Sequence, residues 1–238
     1  MGADIALFDS GLARALQSGF GRDTGIAVQL VRTPALPLLD VLSAGELDVG
    51  IVNAPEAETV LERQGLVHDR HAIARGEFLL VGPRARTRIP GRGGSAPGHS
   101  MASALARLRD ETTGEAGTPV FLTADDGSGA HVAEQAAWRF AGIAPQAPWY
   151  QAVTAEGSCV AQARAKGAYA IVERGAWSAQ GGAPLGVLVE SDDRMAEQVH
   201  AMRSFRSPHP AGKLFVAWIS GAQGRAVIRS HRGYRAAV

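Results

Sequence analysis

The chain has 238 residues, enough for one large domain or two lobes of ordinary size with a buried core. Hydrophobic residues make up 46% and charged residues 20%, which excludes general disorder. A net charge of +1 offers no concentrated basic face, so nucleic acid and anionic membrane are not expected partners. Cys159 is the single cysteine, which rules out an intrachain disulfide. No run approaches the roughly 20 apolar residues that span a bilayer. Met1-Gly2-Ala3 is not a signal peptide, so the chain reads either as cytosolic or as a mature form with a start Met added.

In chain order, Ala3 to Phe8 reads as a strand broken only by Asp4, and Asp9 or Ser10 can cap the helix that follows, with Leu12, Ala15, Leu16 and Phe20 on one face. Ile26 to Val31 reads as a second strand, giving a β-α-β unit with parallel strands. Leu36 to Ala44 is helical, and Asp48 to Val52 is a short buried strand leading to Asn53-Ala-Pro55. Pro55 suits the first turn of the next helix, and Glu56 and Glu58 complement its positive end. His71 to Ala74 and Phe78 to Val81 read as separate extended segments. Arg84 to Gly98 reads as an exposed glycine, proline and arginine loop. Further on come a helix at Ser100 to Leu108, a strand at Thr118 to Leu122, and a helix whose Val132, Ala136 and Phe140 fall at helical spacing. A helix at about Ser158 to Lys166 precedes the strand Ala168 to Val172, which delivers Glu173-Arg174-Gly175. Leu185 to Glu190 and Val199 to Met202 read as strands, and Ala211 to Ile219 and Arg225 to Ser230 as helices. Alternating short strands and helices, with no repeat, mean α/β with largely parallel sheets.

The stretch Thr123-Ala-Asp-Asp-Gly-Ser-Gly-Ala-His131 has the composition of a small-ligand loop between a strand and a helix. Ser128 and Gly129 can present backbone N–H groups at the helix start, where an anion or a carbonyl could dock. A capped turn with no ligand is the competing reading, with Asp126 as the cap. The loop is neither a nucleophile elbow nor a phosphate loop, since G-x-S-x-G and Gly-Lys-Ser/Thr are both absent. Asp125 and Asp126 with His131 could polarise Ser128 in a hydrolase, although no oxyanion arrangement can be named. The seven His are scattered, so no metal site is expected. Arg174 at a strand's carboxyl end could hold an anion, or could pair with Asp125 or Asp126 for structure alone.

With these residues laid out, the chain resembles the TupA-like tungstate-binding proteins, periplasmic components of ABC importers with the type II periplasmic-binding fold. The resemblance runs through Phe8-Asp-Ser-Gly-Leu12, Phe20 to Ile26, Gly45 to Val52, Pro55-Glu-Ala-Glu58 and Phe78 to Pro83. It continues through Asp126 to Gly142, with His131, Glu134 and Trp138 in register, then Trp149-Tyr150, Ala168-Tyr169, Glu173-Arg-Gly175 and Lys213 to Ile228. Several oxoanion-holding positions differ. Ala3, Asp4, Ile5 and Ala6 stand where the family has Thr-Thr-Thr-Ser, and Thr123-Ala124 stands where it has Ser-Arg. Asn53-Ala54 replaces a His-Asp pair, and Thr154-Ala-Glu-Gly157 replaces a glycine-rich turn.

The resemblance implies a two-lobed protein with a mostly parallel sheet in each lobe and a hinge. Residues 1–82 and 203–238 would form one lobe and 83–202 the other, with lobe rotation on binding. It implies a cleft site drawn from Phe8, Asp9, Ser10 and Asn53 on one lobe and Thr123, Asp126, Ser128, Gly129, Tyr150 and Arg174 on the other. It further implies an oxoanion such as tungstate or molybdate, or a diverged polar solute, without cofactor, metal or catalysis. A permease partner, a monomeric state and a periplasmic location complete the expectation. A cytosolic sensor domain of a transcriptional regulator is the alternative in the same fold, and a Ser128/His131 hydrolase is a third reading.

Overall fold

The structure is a computed structural model that describes residues 1–83, 100–111, 120–154 and 158–237. The loop expected at Arg84 to Gly98 and the first residues of the strand expected at Thr118 to Leu122 lie outside them. In chain order the elements are β1 (Gly2–Ala3), α1 (Ile5–Asp9), α2 (Leu12–Thr24), β2 (Val31–Arg32), α3 (Ala35–Ala44), β3 (Val49–Val52), α4 (Pro55–Arg63), β4 (Val67–Pro83) and α5 (Met101–Glu111). There follow β5 (Phe121–Thr123), α6 (Gly129–Phe140), β6 (Tyr150–Ala152), α7 (Cys159–Lys166), β7 (Ala170–Glu173), α8 (Arg174–Gln180), β8 (Leu185–Val189), β9 (Ala196–Ser204), α9 (Pro210–Ser220), α10 (Ala222–Arg229) and β10 (Arg235–Ala236).

Two compact units divide the chain. The first holds Met1–Gly76, Gly127–Gly129 and Glu197–Val238, and the second holds Glu77–Asp126 and Ala130–Ala196. The division falls inside β4 at Gly76 and Glu77 rather than at Gly82.

In the first unit, β1 lies between β2 and β3, parallel to both. The returning β9 is antiparallel to β3, with Val49 opposite Arg203 and Val52 opposite His200. Leu7, Leu12, Leu16, Phe20, Ile51, Val199, Phe215 and Trp218 form its main core, and α3 packs Leu38, Leu39 and Leu42 against Val52 and Met202. Burial of this apolar surface supplies most of the unit's stability.

In the second unit, β7 and β8 both pair antiparallel with β4, while β5 and β6 are parallel. Phe78, Leu80, Leu105, Phe121, Trp138 and Tyr169 form one core cluster, and Leu79, Val81, Leu122 and Val172 form another. The α/β class is as expected, but the sheets are mixed rather than mostly parallel. Segments that return after a crossover pair with reversed sense, a direction that apolar runs do not encode.

The opening segment also departs from expectation. Asp4 ends β1 and caps α1 through a 3.0 Å bond from Ala6 N to its Oδ1, so the apolar run to Phe8 is helix instead of strand. The expected capping role of Asp9 or Ser10 at α2 falls to Gly11, which adopts φ 85°, with the Ser10 hydroxyl 3.4 Å from Leu12 N. Of the strand expected at Ile26 to Val31, only Val31 pairs, in a strand that runs on to Arg32. The two segments at His71 to Ala74 and Phe78 to Val81 are one continuous strand, β4.

Candidate functional site

In the first unit, β1 and β3 end side by side and deliver Asp4 and Asn53. The return strand β9 adds Glu197. All three are buried, at 0%, 3% and 0% exposure. Asp4 Oδ1 accepts from Ala6 N, and its Oδ2 accepts from Gly129 N at 3.2 Å. Asn53 Nδ2 donates to Glu197 Oε1 at 2.9 Å, leaving Asn53 Oδ1 and Glu197 Oε2 without a hydrogen-bond partner. Two glycines shape the cluster. A Cβ on Gly129 would collide with the Asn53 carboxamide, and one on Gly76 would collide with Glu197 Oε2.

Burial first, and then the neighbouring Asp4 charge, push the Glu197 carboxyl up to about 8 against the lowering effect of the Asn53 bond. Just beyond Asn53, the buried Glu58 accepts from Ala54 N at 2.8 Å and Arg70 Nε at 2.9 Å, and lies 2.8 Å from His200 Nδ1. This network locks the turn from β3 into α4.

The other expected residues of this unit are engaged differently. Phe8 lies under the Arg14 guanidinium, 4.5 Å from its ring centroid. Asp9 accepts two bonds of 2.8 Å from Arg32. Ser10 donates to Leu7 O at 3.1 Å, and its carbonyl lies 3.1 Å from His231 Nε2. Their polar groups thus hold the α1–α2 corner. Ser128 is buried at 4% exposure beside Gly129.

In the second unit, β5 and β6 place Thr123 and Tyr150 against Glu134 of α6. Tyr150 OH donates to Glu134 Oε1 at 2.6 Å, Trp138 Nε1 donates to the same oxygen at 3.2 Å, and Gln135 Nε2 donates to the Tyr150 oxygen at 2.9 Å. Burial pushes the Glu134 carboxyl up to about 7, opposed by its Tyr150, Thr123 and Trp138 neighbours. Burial also raises the Tyr150 phenol, helped by the bond to Glu134. Asp125 faces His131 at 3.9 Å. Burial pushes the Cys159 thiol up to about 12, far from a reactive thiolate.

Arg174 opens α8 at the end of β7, as the sequence indicated, but not as an open cation. Its Nε meets Glu77 Oε1 and its Nη2 meets Glu190 Oε2, both at 2.5 Å. Two carboxylates offset its charge, and neither is the Asp125 or Asp126 considered from sequence.

Glu197 was absent from the sequence-based site. Its signal was legible: Glu197, Val199 and Ala201 share one face of a period-2 strand, so an acidic residue falls in a buried phase. Among the described residues, no His, Cys, Asp or Glu cluster could hold a metal ion, and no helix is long and apolar enough to cross a membrane.

No family model matches the chain. It is similar over 232 residues to the tungstate-binding protein TupA of Peptoclostridium acidaminophilum, at 26% identity, covering 92% of this chain and 76% of that protein. The tungstate ABC transporter structure from Geobacter sulfurreducens superposes with a TM-score of 0.79 at 22% identity, covering 97% of each chain. The tungstate-binding protein TupA from Desulfovibrio alaskensis G20 superposes with a TM-score of 0.73 at 23% identity, covering 100% of this chain and 98% of that one. The fold is the type II periplasmic-binding fold of these proteins. The resemblance read from the sequence motifs therefore extends along nearly the whole chain.

Proposed function

We propose that the protein is the solute-binding component of an ABC-type importer and takes one small polar solute. The observation that carries this reading is the pair of buried, unpaired oxygens, Asn53 Oδ1 and Glu197 Oε2, at strand ends of a fold shared with transporter binding proteins. A buried polar atom without a partner costs on the order of 1–3 kcal/mol, a cost that a ligand can offset. Asn53, Ser128 and Gly129 are the candidate contacts in the first unit. The two units are read as the two lobes of such a protein.

On this reading the protein works with a permease outside the cytoplasm, binds as a monomer, and performs no chemistry on its ligand. The curated relative is named as a binding protein, which favours this over a hydrolase built on Ser128 and His131. Native mass spectrometry of protein purified from its own source tests the proposal. A small molecule bound at one per chain is expected. A bare chain that also shows no thermal shift with any member of a broad panel of ions and metabolites contradicts it.

A further inference from the structure

We infer that the buried cluster Asp4, Asn53 and Glu197 recognises a protonated amine rather than an oxoanion. The inference rests on the solute-binding reading and names the ligand class for this part of the site. Asp4 sets the sign of the site. Its carboxylate already holds the amides of Ala6 and Gly129, donors that an incoming anion would otherwise need. An oxoanion here would meet a resident negative charge in a desolvated setting, where like charges repel strongly.

The remaining valences point the same way. Asn53 and Glu197 meet through one Nδ2 to Oε1 bond of 2.9 Å, and the second oxygen of each stays unpaired. Asn53 Oδ1 is an acceptor, and Glu197 Oε2 becomes one as soon as its carboxyl releases the proton that burial favours, both on residues exposed by 3% or less. What they lack is donors and positive charge. An ammonium group supplies three N–H donors and one charge, which satisfies both oxygens and offsets a carboxylate.

A hard metal cation fits less well. Such ions take six or more oxygen ligands, whereas Asp4 is committed to amides and only two acceptor oxygens stand open. The basic side chains near the cluster do not fill the role. Arg70 and His200 are held by Glu58, which itself accepts from Ala54 N. Gly76 and Gly129 bring their backbone close against these oxygens, since a Cβ on either would collide with Glu197 Oε2 or the Asn53 carboxamide.

Titration calorimetry on the full chain near pH 7.5 tests this with methylammonium, 1,4-diaminobutane and guanidinium against tungstate, molybdate and sulfate. Saturable heat from at least one amine and none from the oxoanions is expected. Glu197→Gln should weaken that amine roughly 30-fold or more, and Asp4→Asn, which keeps a capping oxygen, roughly 10-fold. Circular dichroism of each variant shows whether it has folded. If Glu197→Gln does not fold, Asp4→Asn decides. An oxoanion that binds the wild type overturns the amine class and leaves the solute-binding reading intact. Amine binding unchanged in both folded variants also overturns it. Heat from no probe overturns it as well, and the mass of the co-purifying molecule then decides the broader reading by itself.

Discussion

Each unit buries an acidic residue among polar neighbours, and the two clusters differ in how completely they are satisfied. In the second unit, one oxygen of Glu134 takes donors from Tyr150 and Trp138, Gln135 completes the Tyr150 hydroxyl, and the rings of Phe121, Trp138 and Trp149 enclose the group. In the first unit, Glu197 takes one donor, lies within the field of a second carboxylate, and leaves an oxygen unpaired. Burying an acid with enough donors fixes a structure. Burying one without them stores free energy that only a ligand or a proton can recover.

The largest expected effect lies next to the unsatisfied cluster. Glu58→Ala removes the carboxylate that holds Arg70, His200 and Ala54 N, and should cost about 3–5 kcal/mol in urea unfolding, because breaking a buried ion pair strands the remaining charge. A loss below about 1 kcal/mol would show that this network does not brace the turn carrying Asn53.

The next effect is on pH. Glu134 and Glu197 titrate near 7 and 8 when folded, whereas unfolded carboxyls titrate near 4.5, so the folded chain holds protons that the unfolded chain has released. Stability from these groups is fully present below about pH 4.5 and is lost as pH rises, through about 7 for Glu134 and about 8 for Glu197. The thermal midpoint of the ligand-free protein should therefore fall by roughly 10–20 °C between pH 5.5 and pH 8.5 from these two acids, a loss of about 5 kcal/mol. Glu134→Gln and Glu197→Gln should each flatten part of that slope. A slope unchanged in both variants would remove the assignment.

The two acids should also part company on binding. Glu134→Gln keeps an acceptor oxygen for Tyr150 and Trp138, so it should alter affinity for an amine less than about threefold, while Glu197→Gln should abolish most of it. Equal losses in the two variants would erase the distinction between the clusters.

The smallest effect is expected at Arg174. Its side chain is 27% exposed and paired with Glu77 and Glu190, so Arg174→Ala should cost about 1 kcal/mol or less and leave ligand affinity unchanged. A large loss of affinity would return Arg174 to the site.

These contrasts also mark what the sequence could reveal. Period and punctuation located most elements, including β3 ending at Asn53 and β7 ending at Glu173 beside Arg174. The role of Asp4 was hidden because capping depends on one side-chain bond to Ala6 N, and the surrounding apolar run suits strand and helix alike. The pairing of Arg174 with Glu77 spans nearly one hundred residues, which no local pattern reports. Glu197 was visible as a buried phase of β9, but its meeting with Asn53 depends on the antiparallel return of that strand beside β3.

The central claim is that the first unit's cluster lacks donors and charge, and the most direct test is calorimetry of 1,4-diaminobutane binding at pH 7 in buffers of different ionisation enthalpy. If an ammonium group satisfies Glu197, that carboxyl must give up the proton it holds near neutral pH, so the observed heat should vary with the buffer in proportion to up to one proton released per chain. Absence of amine binding, or amine binding whose heat does not change with the buffer, would contradict the account.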